Sequence, residues 1–272
     1  MSEEITDVTL WSPGLSEVAT TEELEGLQAL YRKMTAVIPG MEESGVQWRP
    51  EQIKVCHNVT SDPTLPAAAK QGDLWTPGTL LWRTKDGADE PLVVIPLLTW
   101  KSRTRFQQGD RMPDCQSENG VTAINGMKCA NCPDLPFRNG VPTRCNDQSN
   151  WIVLDSQLRG IWQIRFDKTS LKAGTSMASV IQNTGKPPWE SAFGLSTKMA
   201  SNKAGNSWPV LQTAKMEETP SPGLQAFAMR AYQALRQARN ERLDSLQLSQ
   251  EQARAALAGG EEASLDGFED TM

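Results

Sequence analysis

Histidine is almost absent: His57 stands alone among 272 residues. Without it no Ser-His-Asp triad and no histidine-rich catalytic metal site can be assembled, so most acid–base and nucleophilic layouts are excluded. A phosphate-cradling loop is missing as well, since Gly185-Lys186 is followed by Pro187 in place of Ser or Thr and no spaced glycine precedes it. "MPDC" and "PDLP" share the opening of some nuclease motifs, but no Glu-x-Lys follows at a workable distance, which leaves only bare carboxylates to hold Mg²⁺. The expectation is a protein that is not an enzyme.

Long apolar runs are also lacking. None approaches the roughly 20 residues that a membrane span requires, so no membrane partner is expected. The first ten residues, "MSEEITDVTL", are acidic where a secretory signal is basic and then apolar. A cytoplasmic location is expected, in the host if the chain is phage-encoded, and in that reducing compartment disulfides are not. The chain is long enough to bury a core without covalent staples, and 38% hydrophobic with 22% charged residues describes a soluble globular protein.

Charge is present but unevenly spread. The formal net charge is −6, yet the segment from Trp75 to Lys215 holds 17 Lys and Arg against 11 Asp and Glu. Acid gathers at the ends, and the last twelve residues carry Glu261, Glu262, Asp266, Glu269 and Asp270 with no basic side chain. A basic middle flanked by acidic termini keeps an anionic partner in play.

Thr20 and Glu23 form a capping-box pattern, and Leu24, Leu27, Tyr31, Met34 and Ile38 recur at helical spacing until Pro39-Gly40. Strand-like pieces follow: "IKVCHNV", "GTLLWRT" and "LVVIPLLTWKSRTRF". After a cysteine-bearing stretch, "WIVLD" and "IWQIRF" flank an Arg159-Gly160 turn. "DKTSLKAGTSMASVIQ" then predicts a short helix, and "SAFGLSTKMA" and "SWPVLQTAK" predict a hairpin around "SNKAGN". Ser221-Pro222 opens a long helix with Leu224, Phe227, Ala231, Leu235, Ala238 and Leu246 near one face. This order suits a Greek-key barrel of the OB type better than an α/β sheet. The expected fold is mainly β with flanking helices: a helical segment at 1–50, an OB-like β-barrel at 51–218 with a zinc-knuckle insertion at 113–147, a long C-terminal helix at 219–258, and an acidic disordered tail at 259–272.

Four of the five cysteines lie in the pattern Cys115-x13-Cys129-x2-Cys132-x12-Cys145. Two intervening residues form a tight knuckle that can aim both thiolates at one ion, and the outer pair can complete a tetrahedral shell. One structural zinc fits best, because it favours sulfur and because the intervening Asn-, Asp- and Gly-rich sequence has little apolar surface with which to order itself. Reduced thiols, a redox pair at Cys129/Cys132 and an iron–sulfur cluster are the alternatives. Cys56, beside His57, reads as a small buried hydrophobe.

In "LTWKSRTRF" the period-two alternation puts Lys101, Arg103 and Arg105 on one strand face and Trp100, Ser102, Thr104 and Phe106 on the other. Cations about 7 Å apart suit a phosphate backbone, although a charged edge strand that resists aggregation gives the same pattern. "IWQIRFDK" would bury Trp162, Ile164 and Phe166 and turn Gln163 and Arg165 outward, with Lys168 and Lys172 behind. Trp189, Phe193 and Trp208 fall near Lys186, Lys198 and Lys203, and aromatics interleaved with cations are what single strands need for stacking and phosphate contact.

Basic strands, an inserted cysteine knuckle and an acidic tail containing Phe268 together resemble the layout of phage single-stranded DNA-binding proteins. The resemblance covers residues 50–218 and the tail. It implies an OB-fold replication or recombination protein that binds single-stranded DNA without sequence preference. The tail residues Glu261, Glu262, Asp266, Phe268, Glu269 and Asp270 would serve partner contact or autoinhibition. Two features depart from that pattern: all four ligands would be cysteine where some members use a histidine, and Phe268 is followed by "EDTM" where family tails end near an aromatic. The alternative is a zinc-containing structural or adaptor protein of a virion or transcription complex.

Overall fold

A computed structural model describes residues 21, 25–30, 50–57, 65–76, 81–82, 91–106, 113–132, 145–237 and 239–240. The fold is mainly β, a curled sheet with a few helices. Its strands are β1 (Glu51–Val55), β2 (Leu74–Trp75), β3 (Leu81–Trp82), β4 (Leu92–Arg105), β5 (Cys115–Ser117), β6 (Cys145–Asp155), β7 (Ile161–Asp167), β8 (Phe193–Ser201) and β9 (Ser207–Lys215). Along the sheet the order is β3-β2-β1-β7-β6-β4-β8-β9, with β5 paired to β4. The chain divides into two compact units. The first comprises Met1–Lys101 with Asn146–Tyr232, and the second Ser102–Cys145 with Gln233–Met272. Among the described residues no helix is long and apolar enough to cross a membrane.

In the first unit β6 and β7 form the hairpin that the sequence predicts, paired from Gln148↔Asp167 to Leu154↔Ile161. Its turn is held by Asp155, which is fully buried and accepts from the Arg159 guanidinium at 2.6 Å and from the Gln157 backbone N–H at 2.9 Å. Arg159 also lies over the Trp82 ring, 5.4 Å from its centroid. A buried carboxylate without such partners would cost several kcal/mol, about 3–5 when one partner is removed. The second hairpin, β8 with β9, pairs over its whole length from Phe193↔Lys215 to Ser201↔Ser207. Asn202 closes its turn by accepting from the backbone N–H groups of Ala204 and Asn206 at 3.1 and 3.0 Å.

The predicted short helix is α1 (Leu171–Thr184), stopped by Gly185 in a left-handed conformation at φ 64°. Met177 of α1 packs into a core with Ile53, Val94, Trp162, Ile164 and Phe166. Gly174 permits that approach, because a Cβ there would stand 2.9 Å from Phe166 Cδ2. Period-two alternation in β7 is realised as expected, with Trp162, Ile164 and Phe166 buried and Arg165 exposed. The pairing of β1 with β7 runs parallel, in the register Glu51↔Trp162 to Ile53↔Ile164.

Cys56 is buried with Ala69 and Trp75, as a small hydrophobe would be. Residues 222–237 are helical, with Ser221 Oγ accepting from the Leu224 backbone N–H at 3.2 Å as an N-cap. Leu224, Phe227, Ala231 and Leu235 are buried, in keeping with the predicted apolar stripe. The capping box at Thr20 and Glu23, Ala238, Leu246 and the acidic tail lie outside the described residues.

Candidate metal centre and nucleic-acid interface

The cysteine stretch is polar, and polar side chains order it. Asn119 Oδ1 accepts from the backbone N–H groups of Val121 and Thr122 at 2.8 and 2.9 Å, and Asn125 Oδ1 from that of Met127 at 3.1 Å. The Ala123 N–H donates to the Met127 carbonyl at 2.9 Å, which makes a small hairpin. Cys129 then opens a 3-10 turn, Cys129–Asn131, and the Cys132 N–H donates back to the Cys129 carbonyl at 3.1 Å. On β5, Cys115 lies opposite Arg105 of β4. All five cysteines are free thiols.

One cavity of about 20 Å³ is lined by Cys115, Cys129, Cys132 and Cys145 together with Arg103, Ser117, Ala123 and Met127. That volume admits roughly one water or one ion. Cys129 and Cys132 are buried and Cys115 and Cys145 half-buried. Burial pushes the Cys115 thiol up; Arg105 opposes the shift, while Cys132, Cys129 and Asp114 add to it. Among the described residues no three of His, Cys, Asp and Glu stand as a ready-made ligand group. The four sulfurs therefore share a cavity without being drawn onto a common point.

The basic row of β4 alternates as the sequence predicts but does not present three equivalent cations. Lys101 is exposed, Ser102 and Thr104 are buried, and Arg103 and Arg105 are half-buried. Arg105 is bound to Asp114, with Nε and Nη2 each 3.0 Å from Oδ2. Arg103 borders the cysteine cavity. Trp100 is half-buried, and Phe106, just past the strand end, is 39% exposed.

A second group of cations surrounds the end of β7. Arg165, Lys168 and Lys172 are exposed, and none of them has an ion-pair partner among the described residues. The 3-10 turn Lys168–Ser170 joins β7 to α1, and Lys168 enters it with a left-handed backbone at φ 45°. For a residue with a side chain that conformation costs about 1–2 kcal/mol. β9 docks on this turn: the Leu211 N–H donates to Ser170 Oγ at 3.1 Å, and the Trp208 indole Nε1–H donates to Thr169 Oγ1 at 3.4 Å. A half-buried indole is thus fixed beside exposed lysines.

No family model, curated protein or solved structure matches the chain. Nothing in these comparisons identifies the chain as a phage-type single-stranded DNA-binding protein.

The remaining candidates are dispersed. Phe193 is 1% exposed in the core and cannot stack on a base from there. Trp189 packs against Tyr232 with ring centroids 5.0 Å apart, and Lys186 lies 4.0 Å from Glu190. Both follow α1, whose length of about 20 Å separates them from Lys172. Lys198 and Lys203 are exposed on the β8–β9 hairpin. His57, set aside in the sequence, joins the β7 end. It is exposed, yet desolvation by neighbouring atoms pushes its imidazole below the ordinary range; Asp167 works against that shift and Lys168 with it. Only its pairing with a distant segment reveals this, and no local pattern signals it.

Proposed function

We propose that the protein binds single-stranded DNA without sequence preference in a phage-type replication or recombination system, and that it is not an enzyme. The observation that carries this reading is the exposed trio Arg165, Lys168 and Lys172 beside Trp208, whose indole is held by Thr169. Cations at that density meet successive phosphates, and an anchored indole offers a base a face to stack on. The curled sheet, which includes the parallel pairing of β1 with β7, supports an OB-like scaffold for this surface. Cys115, Cys129, Cys132 and Cys145 would hold one structural zinc, which supplies a cross-link that orders residues too polar to pack by themselves. The acidic tail, through Glu261, Glu262, Asp266, Glu269 and Asp270, would compete with DNA or dock replication and recombination partners, with Phe268 as the apolar anchor.

The test is titration of the full chain with oligo-dT, followed by tryptophan fluorescence, for the wild type and for Arg165, Lys168 and Lys172 replaced together by alanine. Binding that the triple replacement weakens supports the reading, and equal affinities for the two proteins reject it. A second reading, a zinc-bearing adaptor in a virion or transcription complex, draws on Val121 and Ile124, which are 63% and 51% exposed on the cysteine hairpin. Apolar side chains so exposed suit a protein contact. This reading gains if no strand binds at low salt.

A further inference from the structure

We infer that His57 is a further binding residue of the proposed single-strand site, a cation that the chain gains there only when the imidazole takes up a proton; this rests on the reading of Arg165, Lys168, Lys172 and Trp208 as that site. β1 runs parallel to β7 in the register Ile53↔Ile164, and four residues further along each chain His57 comes level with Lys168. Its side chain is exposed, as are those of Arg165, Lys168 and Lys172. The Gln71 side-chain amide donates to the His57 carbonyl at 3.1 Å, which holds the backbone there without using the ring. Asp167 and Lys168 are the charges that act on the imidazole. The other ionisable groups of the neighbouring elements are placed differently. Lys54 lies over the Trp75 ring, 4.7 Å from its centroid, and the Cys56 thiol is buried. Asp73 is buried and accepts from the Lys70 backbone N–H at 2.7 Å, the Lys70 residue itself is exposed, and Glu51 stands at the far end of β1.

With a neutral imidazole, an incoming strand meets three cations and the carboxylate of Asp167. Desolvation and Lys168 favour that neutral form in the free protein. A phosphate drawn in by Lys168 reverses the balance, because an opposite charge nearby favours the protonated ring. The imidazolium then offers N–H donors from both nitrogens, and its charge offsets Asp167 beside the cations. A higher pKa in the bound state than in the free one means that binding takes up a proton. Affinity is therefore lowest above both values, rises as pH falls through the bound value and levels off below the free one.

The test uses the full chain and oligo-dT, which carries no group that titrates between about pH 5.5 and 8, a range over which carboxylates also stay ionised. Affinity and its salt slope are measured at both ends of that range for the wild type, His57→Gln and His57→Arg, with Arg165, Lys168 and Lys172 replaced together by alanine alongside. The wild type is expected to bind about five- to tenfold more tightly at the acid end, the gain from a pKa rise of about one unit. Its salt slope should be steeper there by about 0.7. His57→Gln should lose this gain, and His57→Arg should bind at the alkaline end as the wild type does at the acid end. Because His57 is the only histidine, its ring C2 proton gives one NMR signal, and the titration of that signal should move to higher pH when oligo-dT is bound. This readout needs no variant. Equal pH profiles for the wild type and His57→Gln, or an imidazole that titrates at the same pH with and without oligo-dT, overturn the inference and leave the site standing. A wild type that binds no strand, or binding that the triple replacement does not weaken, removes the site reading and the inference with it.

Discussion

His57 carries a pH signature that no other residue in the chain can supply. Although its side chain is exposed, desolvation by neighbouring atoms holds its imidazole below the ordinary range; Asp167 opposes that shift and Lys168 reinforces it. The unfolded chain therefore takes up the proton more readily than the folded one. The stability contributed by neutral His57 is full above about pH 6.5 and is lost as pH falls through the lower folded value. Thermal melting between about pH 7 and 5.5 should show a decline in Tm that His57→Gln flattens, and identical profiles for the two proteins would contradict this. The aromatic residues show how legibility varies at this scale. That Trp162 and Phe166 would be buried follows from strand alternation, whereas nothing in a one-dimensional pattern separates Phe193, which fills the core, from Trp208, which does not. Both lie in the same hairpin, and only the packing of α1 and the turn before it distinguishes them.

At the scale of elements, the two hairpins and α1 were readable because each is local: a turn or cap signal lies between or beside segments of clear period. The parallel pairing of β1 with β7 and the short strand β5 were not, since both depend on partners distant in sequence or on a register fixed by tertiary contact. The cysteine stretch is intermediate. Its spacing singles out four cysteines, which line one cavity without forming a ready-made ligand group among the described residues, and Arg103 at the same cavity looks in sequence like one more rung of a basic row. Cys129→Ser or Cys132→Ser should reduce bound zinc from about one per chain toward none. Amide exchange should then speed up across residues 115–132 while the β6–β7 hairpin keeps its protection. Retained stoichiometric zinc in both variants, checked by elemental analysis, would show that these cysteines are not ligands.

For the whole molecule, the net charge of −6 conceals a division of labour in which exposed cations at the β7 end coexist with five carboxylates in the last twelve residues. Deleting residues 261–272 should tighten single-strand binding, most clearly near 0.01 M salt, where the Debye length reaches about 30 Å. Phe268→Ala should leave DNA affinity unchanged. Weaker binding after truncation would mean that the tail supports assembly on the strand. The central claim, that an exposed cation cluster beside Trp208 meets a phosphate backbone, is tested most directly by the salt dependence of oligo-dT affinity. Each phosphate neutralised on a single strand contributes about −0.7 to the slope of log K against log salt. The account predicts that replacing Arg165, Lys168 and Lys172 by alanine makes that slope shallower by about 2; an unchanged slope, or no binding by the wild type at low salt, would contradict it.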